Sequence, residues 1–161
     1  MLFTYLITSV CPKGKSASFP DTTKPVQSFQ LADANGNKAD VATLRGKVVF
    51  INFWALTCAP CKAEMPTINN LSNHYSGRTD FRVLPVDLDH NFSGDIDYYR
   101  KNGFTLPVFA PAGVVPPSLF MGELPTTAVL TKTGRMALLR QGEGKYDTPS
   151  FYSFIDSLLK Q

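Results

Sequence analysis

A chain of 161 residues has the length of one domain, and 43% apolar with 18% charged residues describes an ordinary globular protein. The net charge of +3 comes from Lys and Arg scattered without a run, which argues against a nucleic-acid partner. No stretch reaches the roughly 20 apolar residues that span a bilayer, and three cysteines are too few for a disulfide scaffold.

Residues 2–10 form a short apolar stretch. No Lys or Arg precedes it, and Thr4, Tyr5 and Thr8 dilute it. It reads as an added strand or arm, with a trimmed remnant of a longer anchor as the alternative. Cys11 follows and is expected to be an inert buried thiol. Residues 13–24 are rich in Ser, Thr, Pro, Gly and Lys and read as linker. The expected organisation is an arm and linker over 1–24 and one domain over 25–161.

Phe29-Gln30-Leu31 leads into Asp33-Ala34-Asn35-Gly36-Asn37, a strand entering a tight turn, and residues 38–41 complete a hairpin. Val48-Val49-Phe50-Ile51-Asn52-Phe53 is a nearly unbroken apolar run, as in a central strand covered on both faces. Met65, Ile68, Leu71 and Tyr75 recur at helical spacing, so a helix is predicted over 60–75, with Pro66 inside it removing a donor and kinking it. Residues 80–87 read as a strand. Residues 95–102 read as a helix closed by Gly103. A strand is predicted around Leu106-Pro107-Val108-Phe109, followed by a Pro- and Gly-rich insertion over 110–117. Residues 126–131 and 135–140 pair across the turn at Lys132-Thr133-Gly134. Thr148 and Pro149 start a last helix, whose buried face is Phe151, Phe154, Ile155, Leu158 and Leu159.

The chemistry gathers where the apolar strand meets the first helix. Cys58 stands at the helix N-terminus, where unpaired N–H groups and the macrodipole favour a thiolate. Cys61 lies about one turn on, close enough to close a small disulfide ring with it. Cys58 is thus the candidate nucleophile and Cys61 the resolving thiol. Glu64 lies a further turn along and could take and return the Cys61 proton, its alternative being a solvated surface charge. Ala59 and Pro60 add no charge to stabilise a thiolate strongly, which points to the reducing end of the dithiol range. Cys11, His74 and His90 are too few and too scattered for zinc, so no metal is expected. Surface roles are the default for both histidines.

Phe53-Trp54-Ala55 with Cys58-Ala59-Pro60-Cys61-Lys62-x-Glu64-x-Pro66, together with Leu124-Pro125-Thr126-Thr127, resembles the thioredoxin superfamily, in particular its TlpA/ResA-like branch. The resemblance runs from about Pro25 to the C-terminus. It implies a thioredoxin-like α/β fold: a central mixed β-sheet flanked by helices, an N-terminal β-hairpin and a central αβ insertion. It also implies a cis peptide bond before Pro125 and a substrate surface made by Trp54, Ala59, Pro60, Leu124, Pro125 and Thr126. The activity implied is a thiol-disulfide oxidoreductase reducing protein or peptide disulfides in the bacterial cell envelope or periplasm, with a cytoplasmic location as the alternative. The Cys58–Cys61 pair would be its only redox group, with no added cofactor. A membrane thiol reductant upstream, a monomeric state and a part in cytochrome c maturation follow by the same analogy.

Two positions depart from the pattern. Asn52 stands where ordinary thioredoxins carry a buried aspartate, which moves the proton-carrier role toward Glu64. Thr57 stands where many relatives have tryptophan, which removes apolar area beside Cys58. The competing classes are a thiol peroxidase of the peroxiredoxin type and a redox-inactive binding module that keeps the fold.

Overall fold

The computed structural model describes residues 23–161. The expected arm over residues 2–10 and Cys11 lie outside the described residues.

The central strand, β3 (Val48–Trp54), is buried at every position. Its apolar run is satisfied on two sides. Val48, Phe50 and Trp54 enter one core, while Val49, Ile51 and Phe53 enter the other, as the two-residue period of a strand requires. β3 pairs in parallel with β4 (Phe81–Asp87) and antiparallel with β6 (Thr126–Leu130). β7 (Met136–Gln141) continues antiparallel beyond β6, with a register shift at Val129/Leu130. On the other side, β5 (Phe109–Pro111) adds in parallel to β4, followed by the hairpin of β1 (Gln30–Asp33) and β2 (Lys38–Asp40). The result is a mixed seven-stranded sheet in the order β2-β1-β5-β4-β3-β6-β7.

The helices α1 (Ala59–His74), α2 (Phe92–Asn102) and α3 (Pro149–Leu159) all send buried side chains into the core on one face. The opposite face is closed by the 3₁₀ turn at Val41–Leu44, by Phe29 and by Leu119, with Val115 and Phe120 packed around them. The expected hairpin is present, and Asp33 holds its turn by accepting from the backbone N–H groups of Asn35 and Asn37, each at 2.9 Å.

Two boundaries moved by three residues. α2 begins at Phe92 rather than Asp95, because the Asn91 side chain caps it by accepting from the Gly94 N–H at 3.1 Å. Gly94 reads locally as a turn residue, yet a Cβ there would meet Leu56 Cδ2 at 2.8 Å and Asn91 Nδ2 at 2.5 Å. The glycine is what lets α2 close on the loop after β3. The strand expected at 106–109 starts only at Phe109, so the αβ insertion between β4 and β6 is α2 with β5. Residues 112–125, which include most of the predicted Pro- and Gly-rich insertion, carry no helix or strand. Pro66 does not interrupt α1. The Lys62 carbonyl, which proline leaves without its helical N–H partner, instead accepts from the Tyr98 hydroxyl at 3.4 Å.

At the end of β4, Asp87 is fully buried beside Trp54, its register partner on β3. Its two oxygens accept from the N–H groups of Asp89 at 2.9 Å and Asn91 at 2.8 Å, which fixes the turn into α2. Asp95 on α2 is also fully buried, and among the described residues no donor reaches either of its oxygens. Burial and the nearby Asp87 charge push the Asp95 carboxyl up to about 7, with Asp89 adding to the effect.

The folded protein therefore keeps a proton on Asp95 over a range in which the unfolded chain, with the ordinary value of 3.8, has released it. Stability should fall as pH rises from about 4 to about 7, at about 1.4 kcal/mol per pH unit at most, and level off above. Asp95→Asn cannot lose a proton. It should be more stable than the parent at pH 8 and gain nothing at pH 4 in thermal denaturation. An equal difference in Tm at both pH values would show that Asp95 is not held protonated.

Candidate active site

β3 delivers the chain to the site and α1 carries it away. Trp54, the last residue of β3, stacks on Tyr99 of α2 with centroids 5.7 Å apart and planes 15° apart. The next four residues turn sharply, with the Cys58 N–H donating to the Ala55 carbonyl at 3.0 Å. Cys58 then caps α1 with extended dihedrals, and its Sγ accepts from the Cys61 N–H at 3.3 Å. The sulfur thus sits among the free N–H groups of a helix N-terminus, a setting that favours a thiolate once the pair is reduced. Cys58 and Cys61 form a disulfide, with Cα atoms 5.3 Å apart.

Exposure separates the two sulfurs. Cys58 is half-buried between the exposed Thr57 and Ala59, whereas Cys61 is 0% exposed. An external disulfide or thiol can reach the first and not the second, so attack and resolution are assigned by burial alone.

The peptide bond between Leu124 and Pro125 is cis. Thr126, the next residue, is the register partner of Phe53, so this bond lies at the end of the sheet from which the Cys58 loop departs. Three of the residues expected on the substrate surface are buried. The Trp54 side chain is fully buried under Tyr98 and Tyr99, and Thr126 is enclosed between β3 and β7 with its hydroxyl donating to the Glu123 carbonyl at 2.5 Å. Pro125 is buried too, and its carbonyl accepts from the Gly142 N–H at 2.8 Å. Ala59 and Pro60 are exposed and Leu124 is half-buried, whereas Trp54, Pro125 and Thr126 are buried.

Glu64 is not the solvated charge of the alternative reading. It is 0% exposed and faces Asn52 on β3. Asn52 Nδ2 donates to Glu64 Oε1 at 2.6 Å, and the Gly144 N–H donates to Oε2 at 2.8 Å. Burial pushes the carboxyl up to about 7, the bonds from Gly144 and Asn52 act against that rise, and the charges of Glu143 and Arg140 pull in opposite directions. Both protonation states are then accessible near neutrality. Glu64 and Cys61 lie three residues apart on α1 and both point into the core, which makes them neighbours on one helix face.

Three further residues complete this enclosure and escaped the sequence reading. Thr127 Oγ1 accepts from Asn52 Nδ2 at 2.9 Å and from the Tyr146 hydroxyl at 2.8 Å. Burial pushes the Tyr146 phenol up to about 12, so it remains a donor. Gly144 must be glycine for a packing reason: a Cβ there would meet the Tyr146 hydroxyl at 2.3 Å and Cζ at 2.4 Å. The local signal was present in Gly142-Glu143-Gly144, but nothing in the sequence tied it to a residue 80 positions upstream. His74 is exposed and stacks on Tyr152 at 4.1 Å, away from the cysteines in sequence and role.

Comparison with known proteins agrees with this geometry. The model of the AhpC/TSA family matches residues 22–136, more than half of the chain. Thiol-disulfide oxidoreductase ResA of Bacillus anthracis is 30% identical over 114 residues, which are 70% of this chain and 65% of that protein, so the match spans just under two thirds of that relative. ResA of Geobacillus thermodenitrificans is 30% identical over 129 residues, 80% of this chain and 72% of that one. A solved structure from Bacteroides vulgatus, assigned as a thiol-disulfide oxidoreductase, superposes with a TM-score of 0.74 at 26% identity, covering 89% of this chain and all of that one. The sheet, the cysteine pair and these matches together place the chain in the AhpC/TSA family, as a TlpA/ResA-like member of the thioredoxin superfamily.

Proposed function

We propose that this protein is a thiol-disulfide oxidoreductase that reduces disulfides of protein or peptide substrates, with the Cys58–Cys61 pair as its electron carrier. The carrying observation is the asymmetry of that pair: a reachable sulfur at a helix N-terminus and a buried one beside a carboxyl that titrates near neutrality.

In the reduced protein, the Cys58 thiolate attacks one sulfur of a substrate disulfide. The substrate S–S bond breaks, its other sulfur leaves as a thiolate that takes a proton from water, and a mixed disulfide forms. Glu64 as carboxylate accepts the Cys61 proton, and the Cys61 thiolate attacks Cys58 Sγ. The second substrate sulfur leaves, the Cys58–Cys61 disulfide closes, and two electrons have passed from the dithiol to the substrate. An external dithiol resets the pair by the reverse sequence, with Glu64 returning a proton to Cys61. Exposed Ala59 and Pro60 with Leu124 form the contact surface, and its few polar side chains suit an extended peptide segment. The direction of flow, a membrane thiol reductant upstream and a cell-envelope location extend this reading by family analogy. Among the described residues no helix is long and apolar enough to cross a membrane.

The peroxidase reading lacks its local setting. A peroxidatic cysteine of that type needs Thr or Ser three residues before it and Pro seven before, where Cys58 has Ala55 and Ile51.

A dithiothreitol-coupled insulin-reduction assay tests the reading directly. The parent should turn over and Cys58→Ser should not, while Cys61→Ser should accumulate mixed disulfides visible on non-reducing gels. A parent that leaves insulin untouched, or that consumes hydrogen peroxide instead, would overturn it. Glu64→Gln should slow turnover at pH 7 by about 10²-fold, the lower range for a positioned proton carrier. It should also abolish the inflection near pH 7 expected of the parent, whose Glu64 carboxyl is pushed up to about 7. An unchanged pH profile in that variant would remove Glu64 from the mechanism.

A further inference from the structure

A buried proton carrier needs an exchange route that stays open while the substrate is attached. In the mixed disulfide the substrate covers the Cys58 surface, and Cys61 behind it is fully buried. The proton that Cys61 gives up therefore rests on Glu64 with the cysteine side closed. On the other side of α1, a cleft of about 290 Å³ is lined by Ala63, Thr67, Arg140, Glu143, Gly144 and Lys145. Ala63, Arg140, Glu143 and Lys145 are exposed, so the cleft is open to water. Gly144 lines this cleft and its N–H donates to Glu64 Oε2 at 2.8 Å, so one residue belongs both to the cleft wall and to the contacts of the buried carboxyl.

We propose that Glu64 exchanges its proton with solvent through this cleft between α1 and the segment linking β7 to α3, with Glu143 at the mouth as the surface proton acceptor. The proposal rests on the proton-carrier role of Glu64 given above. When Cys61 attacks, its proton is on Glu64. Transient opening of the Gly144 contact admits a cleft water, which takes that proton and passes it to the Glu143 carboxylate and on to bulk solvent. No electrons move in this step, and Glu64 returns to the carboxylate.

The groups facing Glu64 fit such a route. Asn52 from β3 and Gly144 donate to it, Tyr146 stands behind Thr127, and Thr67 on its own helix closes the side by donating to the Glu64 carbonyl at 2.8 Å and accepting from the Tyr146 N–H at 3.2 Å. The charged side chains on the cleft side are Arg140, Glu143 and Lys145. Glu143 favours the proton on Glu64 and Arg140 disfavours it, so the two frame the carboxyl with opposite signs.

The test is a pH jump from 5 to 9 on the oxidised protein, followed by the infrared carbonyl stretch of protonated Glu64 and assigned by its loss in Glu64→Gln. Ala63→Phe, which fills the cleft from an exposed position, and Glu143→Gln should each slow the decay of that band by roughly 10-fold or more. Added acetate should restore the rate in Glu143→Gln, where the cleft is open, and not in Ala63→Phe. The midpoint of the band should move down in Glu143→Gln and up in Arg140→Gln. If Ala63→Phe does not fold, Glu143→Gln with acetate rescue decides. Parent-like decay in Glu143→Gln, while Glu64→Gln has slowed insulin reduction, would overturn the cleft route and leave Glu64 as carrier. Parent-like insulin reduction in Glu64→Gln would instead overturn the carrier role itself.

Discussion

The structure turns on a carboxyl held away from water by donors from two other elements. Glu64 belongs to α1, Asn52 to β3 and Gly144 to the segment after β7, and each bond to the carboxyl joins a different part of the sheet to the helix that carries the cysteines. A buried carboxyl left without donors would be strongly destabilising. One given a full set of donors would be an ordinary low-pKa carboxylate. Two donors leave it between those limits, which suits the proton-carrier role proposed for it.

The same sheet position organises the rest. The two-residue period of β3 sends Asn52 to the helix face with Phe50 and Trp54. Phe50 packs edge-on against Tyr146 at 4.9 Å, and Tyr146 in turn fixes Thr127 and excludes any side chain at Gly144. Trp54 stacks on Tyr99 and lies beside buried Asp87, its register partner on β4. The end of β3 thus stands near two carboxyls pushed up to about 7, Glu64 by burial against the bonds from Gly144 and Asn52, and Asp95 by burial and the Asp87 charge. Packing therefore reaches the chemistry through acidity rather than through direct contact with substrate.

Local features of this molecule were legible in the sequence where one short stretch carried the cause. The strand–cysteine–helix junction, the Asn35-Gly36 turn and the Thr148-Pro149 helix start each depend on residues adjacent in the chain. The start of α2 was missed because a caps-and-glycine sequence, Asn91 to Gly94, looks like a turn until Leu56 is seen packing against it. Trp54, Pro125 and Thr126 were expected at the substrate surface from the family motif, whereas all three are buried. Gly144, Thr127 and Tyr146 could not be linked to Glu64 at all, since the contacts cross most of the domain and involve a backbone N–H that no side-chain pattern reports.

Asn52 shows why the departure from an aspartate at this position matters physically. Two carboxyl groups at the 2.6 Å separation of Asn52 and Glu64 could not both ionise. One would stay protonated through the neutral range, and its partner's proton would be shared rather than released. An amide at that place offers a donor to an ionised Glu64, and by turning over it offers its oxygen to a protonated one. Among the described residues no donor reaches Asn52 Oδ1, so that rotation breaks only the bonds its Nδ2 makes to Glu64 and Thr127. The substitution thus concentrates the titration on one residue while keeping a hydrogen-bond partner for each of its states. A single carboxyl with an adaptable neighbour can cycle its proton once per turnover without the repulsion that a pair of acids would carry.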